Sequence, residues 1–207
     1  MARQADHNER REIFAAAALR VIMRAGVGGL TVREVAKEAG FTTGALTHYF
    51  QSKDQVLIEA SEYSAKLVRP KMERSAKDAS AVDALRKVIA DALPTTVANR
   101  GMWRIWVGFW ERSSYNPDVA RVMRLRYDEW RNRLAVLIRR AQAQGEMPSD
   151  FDADLAAQEL IALIDGIAVQ VLLGVGKIPA ARQREMIEAR IAAMTQGRPS
   201  PPAKAKS

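Results

Sequence analysis

The sequence predicts an all-α protein: a small three-helix head of helix-turn-helix type over residues 1–52, joined to a larger helical body over 53–195, with a tail at 196–207. Three observations carry this. Apolar residues recur at three- and four-residue spacing along most of the 207 residues, the period of a helix with one buried face. Ala, Leu, Arg and Glu are common and β-branched runs scarce, a balance that favours helix over strand. The stretch 31–57, TVREVAKEAGFTTGALTHYFQSKDQVL, sets two short helical patterns on either side of a glycine turn and opens a third helix.

In chain order, residues 1–8 are expected to form a mobile arm, with Asp6 or Asn8 capping a first helix over 9–25. Its stripe is Ile13, Ala17 and Val21 with Phe14, Ala18 and Ile22, and Gly26, Gly28 and Gly29 end it. Arg10 and Arg11 lie off that stripe and suit either phosphate or solvent. Thr31 caps the second helix, with Glu34 at the capping-box position. Gly40 suits the left-handed turn that stops it. Thr42 caps the third helix, whose Leu46 and Phe50 turn inward while Thr43, Gly44, Thr47 and His48 turn outward.

A helix with small polar residues outward, braced by a preceding helix, has the shape that enters a DNA major groove. Threonine hydroxyls and methyls, a histidine N–H and the bare backbone of a glycine can all approach base edges. Phosphate contacts set register and base contacts set sequence. Thr31, Tyr49 and Lys53 are therefore assigned to phosphate, and Thr43, Gly44 and His48 to reading; Thr42 and Thr47 complete the candidate interface.

This segment resembles the DNA-binding signature of the TetR family of bacterial repressors, through Thr31, Val35, Ala36, Ala39, Gly40, Thr42, Gly44, Leu46, Tyr49, Phe50, Lys53 and Leu57. It departs at Thr47, where many members carry an aromatic. The run Thr47-His48-Tyr49-Phe50 is similar to the Ser-His-Tyr-Phe of BetI-type, choline-responsive repressors. The resemblance implies a cytoplasmic, ligand-responsive repressor that binds a palindromic operator in double-stranded DNA as a homodimer. Its two reading helices would stand about 34–36 Å apart, one DNA turn.

The body begins with a long helix over 53–77, where Pro70 predicts a kink. A helix over 81–97 follows, interrupted near its end by Pro94. Residues 101–110 hold most of the tryptophans: Trp103, Trp106 and Trp110 share one face, Phe109 lies beside them, and Gly108 permits close approach. The helix over 118–144 carries Tyr127 and Trp130, and a helix from Asp152 carries Asp165. Stacked aromatics can bind a cation at roughly 0.5–2 kcal/mol per contact. Trp106-Val107-Gly108-Phe109-Trp110 is similar to the Trp-x-x-Phe-Trp of the BetI type. Trp103, Trp106, Phe109, Trp110, Tyr127, Trp130 and Asp165 are therefore the candidate effector site, with a quaternary ammonium such as choline as the fitting ligand. Asp165 is an acid in an apolar helix, and either a core arginine or a cationic ligand would satisfy it. Leu160, Ile164, Ile167 and Val171, with Ile187 and Ile191 on a last helix over 180–194, are the expected dimer surface; filling the protomer's own core is the alternative.

The formal net charge of +8 suits an anionic partner, although Arg190, Arg198, Lys204 and Lys206 near the C-terminus supply half of it. No cysteine, phosphate loop, G-x-S-x-G elbow or H-E-x-x-H pair is present, and the two histidines, His7 and His48, fall in or near the head. No metal, cofactor or catalytic residue is expected. No apolar run is expected to reach the roughly 20 residues of a membrane span, and no membrane partner is expected. An architectural DNA binder without an effector and a helical enzyme with a carboxylate site stand as alternatives. Against the first, the basic residues form no single tract.

Overall fold

The computed structural model describes the backbone of residues 2–75 and 80–196 and the side chains of residues 7–67 and 80–196. Among the described residues there is no strand. The helices are α1 (Ala2–Ala25), α2 (Val32–Ala39), α3 (Thr43–Tyr49), α4 (Lys53–Ser75), α5 (Ala81–Ala92), α6 (Val97–Ser113), α7 (Pro117–Ala143), α8 (Ala153–Leu173) and α9 (Ala180–Thr195).

The boundaries follow local chemistry. Thr31 Oγ1 accepts from the Glu34 amide at 3.1 Å, Thr42 Oγ1 from the Ala45 amide at 3.2 Å, and Ser52 Oγ from the Gln55 amide at 3.2 Å. Each satisfies a donor that helix geometry leaves free. Gly40 closes α2 at φ 76°, in the region that side-chain-bearing residues avoid. Pro94 follows the end of α5, and Pro117 opens α7 at the position where its missing N–H costs nothing. The first turn of α5 is capped from a distance as well: Glu146 Oε2 accepts from the Val82 amide at 2.8 Å and from Ser80 Oγ at 3.2 Å.

Three expectations change. The arm expected at 1–8 is helical from Ala2, so α1 begins about two turns before the start expected at residue 9. α4 continues through Pro70 to Ser75 rather than stopping there; a proline removes one amide donor, and the turns on either side persist. α8 is long and apolar enough, by length and composition, to cross a membrane. Its apolarity has a local use, because Leu160, Ile161, Ile164, Ile167 and Ala168 are all buried in the protein. The tail expected at 196–207 lies outside the described residues, apart from Gln196 at the end of α9.

The chain divides into two compact units, Met1–Lys71 with Gly101–Leu125, and Met72–Arg100 with Arg126–Ser207. The first unit therefore takes in most of α6 and the start of α7 as well as α1–α3. Its core is built on Phe14, fully buried, whose ring meets Phe41 at 5.1 Å, Tyr49 at 5.4 Å and Phe50 at 6.2 Å. In the second unit Leu85, Ile89, Leu134, Ile138, Leu160 and Ile164 are fully buried.

Candidate nucleic-acid interface and effector pocket

α3 is only seven residues long and is held by its apolar side. Leu46 is fully buried and Phe50 nearly so. That anchoring leaves Thr43, Gly44, Thr47 and His48 exposed together on the other side, as the spacing predicts. The expected set is not chemically uniform. Thr31 and Thr42 are exposed, but their oxygens cap helices. The Thr47 hydroxyl donates to the Gly44 carbonyl at 3.0 Å, which leaves its methyl and its oxygen lone pairs for a partner. Tyr49 is half-buried, with its ring against His7 at 4.7 Å and His48 at 5.6 Å. Lys53 Nζ donates to the Gly28 carbonyl at 3.4 Å, so it is already steered toward the loop before α2.

The arginines of α1 resolve differently from the sequence alternatives. Arg11 pairs with Glu59 and lies over the Phe50 ring at 5.2 Å. Arg20 and Arg24 both bind Glu38, at 2.8 and 2.9 Å, which lowers that carboxyl below its usual range chiefly through the Arg24 hydrogen bond. These cations brace α1 against α2. Arg33 and Lys37 stay exposed on α2, and their side chains make no hydrogen bond or ion pair among the described residues. Only their exposure singles them out.

The first unit also holds two contacts that no local pattern announces. Asp54, on the first turn of α4, accepts from Arg112 Nε at 2.5 Å and Nη2 at 3.0 Å, and from Asn116 Nδ2 at 2.5 Å. The Arg112 hydrogen bond holds the Asp54 carboxyl below its usual range against the opposing effect of burial. A carboxylate depressed in the folded state stabilises the fold above its unfolded pKa of about 3.9 and loses that contribution as pH falls through the folded value. The margin by which the unmodified chain out-melts Asp54→Asn is therefore expected to be full at pH 7 and to close below pH 4, as thermal melts across that range will read. The second contact is Gly108, where a Cβ would lie 2.3 Å from Val27 Cγ2 and 2.6 Å from Val27 Cβ. The close approach expected at Gly108 is thus made by the loop that leads into α2.

The expected effector residues fall in both units. In the first, Trp103 is 9% exposed and Phe109 2%. Trp103 and Trp110 meet edge to face at 6.2 Å and 60°, a geometry of packed aromatics, and Trp106 is half-buried. In the second, Tyr127, Trp130 and Asp165 are half-buried. The partner of Asp165 is not an arginine: the Tyr127 hydroxyl donates to Oδ2 at 2.8 Å. Burial nevertheless pushes the Asp165 carboxyl up to about 6, with the Tyr127 hydrogen bond opposing. Tyr127, Arg131, Gln158, Ile161, Ala162 and Asp165 line a cavity of about 250 Å³. Arg131 and Gln158 were missed in the sequence because neither breaks the polar pattern of its helix.

The expected dimer surface needs correction. Leu160, Ile164, Ile167, Ile187 and Ile191 are each at most 4% exposed within the single protomer. They belong to its core and offer no area to a second copy. Val171 is half-exposed. The outward side of α8 carries Leu155, Ala162, Gly166, Val169 and Leu173 instead, and a Cβ on Gly166 would meet nothing.

A helix-turn-helix head continued by an all-helical body is the architecture of one-component transcriptional regulators. Residues 14–60 match the bacterial regulatory proteins of the tetR family, and residues 81–196 match the C-terminal domain of BetI-type transcriptional repressors. The chain belongs to the TetR family and carries a BetI-type C-terminal domain. It is similar to the regulator PksA of Bacillus subtilis, at 29% identity over 90% of both chains. It is similar also to BetI of Burkholderia mallei, at 31% identity over 73% of this chain and 75% of that one. Among solved structures, a transcriptional regulator from Saccharomonospora viridis in complex with choline superposes with a TM-score of 0.82 at 30% identity, covering 89% of this chain and 96% of that one.

Proposed function

We propose that this protein is a homodimeric repressor that reads a palindromic operator with α3 and releases it when a small organic cation binds the body. The observation that carries the DNA reading is the exposed set Thr43, Gly44, Thr47 and His48 on a helix anchored by Leu46. Thr31, Thr42, Tyr49 and Lys53 set the register against phosphate, with Arg33 and Lys37 exposed beside them. In this reading the head is 1–52 in function, although it is packed with more of the chain. Dimerisation falls to the outward side of α8. The cation is favoured by the half-buried carboxylate of Asp165, the neighbouring Tyr127, and the choline held by the Saccharomonospora viridis relative.

Two substitutions test the division between register and reading. Lys53→Ala is expected to weaken binding to all duplexes and to lower the salt slope by about one counterion. Thr43→Ala is expected to change the preference among operator variants by a few-fold, on the order of 1 kcal/mol per altered base contact, with non-specific affinity unchanged. Titration of both variants against an operator selected from a random duplex library and against random DNA, at several salt concentrations, reads both effects. If the two variants shift specific and non-specific binding alike, the division is wrong.

A further inference from the structure

Nδ1 of His7, on the second turn of α1, is buried and has no hydrogen-bond partner among the described residues. The residue is only half-buried, so Nε2, at the other edge of the ring, is the nitrogen left to an outside partner. The ring lies against Tyr49, with centroids 4.7 Å apart and planes tilted by 34°. Tyr49 in turn meets Phe14 at 5.4 Å and His48 at 5.6 Å. His7, Tyr49 and His48 therefore form a row of rings that runs from α1 onto α3 and ends at the exposed His48. A major groove admits one helix. A side chain beside that helix, carried by a different element, meets the sugar-phosphate strand that bounds the groove rather than the base edges within it.

We infer that His7 is a further DNA contact: its Nε2–H donates to a backbone phosphate oxygen beside Tyr49, and α1 thereby joins α2, α3 and α4 at the interface. A phosphate oxygen only accepts, so Nε2 carries the proton. In that neutral tautomer the buried Nδ1 is a bare nitrogen. The charged ring would instead enclose an N–H with no acceptor, which folded proteins rarely tolerate. The contact is thus a neutral donor, unlike Lys53. It displaces no counterion, so it adds affinity without adding to the salt dependence. It carries no base preference, so it strengthens binding to every duplex. The inference rests on the reading of α3 as the DNA-reading helix, and it assigns a residue on another helix to the same task.

Two variants of the full chain separate the donor from the ring. His7→Phe keeps a ring against Tyr49 and removes the nitrogen; His7→Gln removes the ring and keeps an amide N–H at nearly the reach of Nε2. Both are titrated by fluorescence anisotropy, at several salt concentrations, against an operator selected from a random duplex library and against random duplex. His7→Phe is expected to bind both duplexes about tenfold more weakly, the loss of one hydrogen bond to a charged acceptor. Its salt slope and its melting temperature are expected to match those of the unmodified chain. His7→Gln is expected to stay within about threefold of the unmodified chain on both duplexes. Unchanged binding by His7→Phe, or a loss at least as large in His7→Gln, overturns the proposal, because the ring alone then matters. A salt slope lowered by about one in His7→Phe overturns the neutral donor. A loss confined to the selected operator makes the contact a base contact, and a loss accompanied by a lower melting temperature makes His7 structural; each overturns the proposal. The unmodified chain reports on the underlying reading. If it prefers no duplex over random DNA, the DNA reading fails and takes the proposal with it; if it does prefer one and His7→Phe binds equally well, only the proposal fails.

Discussion

Gly108→Ala is expected to destabilise the unit that carries the DNA-reading helices by about 1–3 kcal/mol, the range for forcing extra volume into a packed site. The new methyl carbon would stand 2.3 Å from one branch of Val27 and 2.6 Å from its Cβ. Val27 is 8% exposed and β-branched, so it has little room and no flexible end to swing aside. It also lies four residues before Thr31, the cap of α2. Any backbone shift that relieves the clash therefore moves the element that braces α3, and operator affinity is expected to fall along with stability. Val27→Ala on the same background removes the branch at 2.3 Å but keeps the Cβ at 2.6 Å, and is expected to recover part of the loss. Thermal melts of both single variants and the double variant form the cycle. Additive effects would mean that Gly108 and Val27 do not meet as described.

Asp165→Asn is expected to do the opposite to stability: to raise it above pH 6 by about 1–2 kcal/mol while removing the response to effector. A carboxyl lifted from 3.8 to about 6 carries a charge in the folded state that water would hold more cheaply. The full shift would correspond to about 3 kcal/mol, and partial exposure reduces it. For an acid whose folded pKa is raised, stability is complete below the unfolded value and declines as pH rises through the folded one. Asparagine removes that decline and can still accept from Tyr127. The difference between the two proteins is thus expected to be nil near pH 3.5 and full above pH 6.5, in melts followed by circular dichroism. A substitution that stabilises a protein and silences it marks a group kept at a cost for its use. If Asp165→Asn destabilises at pH 7.5, the carboxylate is structural.

The head was legible in the sequence because its constraints are local. Caps at Thr31, Thr42 and Ser52, the left-handed Gly40, and the alternation of Leu46 with Thr43 and Thr47 are all set within a few residues, and the structure places each of these features as the spacing predicts. The body was legible as helices but not as surfaces. Leu160 and Ile187 show the reason: an apolar stripe says that a face is buried, not what buries it, and here the protomer does so itself. Asp54 and Arg112 are 58 residues apart, and neither has a neighbour that announces the other. The same holds for Gly108, whose need for a bare backbone was visible, but not that Val27 imposes it. Asp165 stood out correctly as an acid in an apolar helix. Its partner did not, because tyrosine at position 127 reads equally well as a core residue.

The central claim is sequence-specific binding to DNA under effector control, and fluorescence anisotropy of the full chain on a labelled inverted repeat tests it most directly. At physiological salt the repeat is expected to bind at least about 10³-fold more tightly than random duplex, and choline is expected to weaken the repeat selectively. Equal affinity for repeat and random DNA, with or without choline, would contradict it.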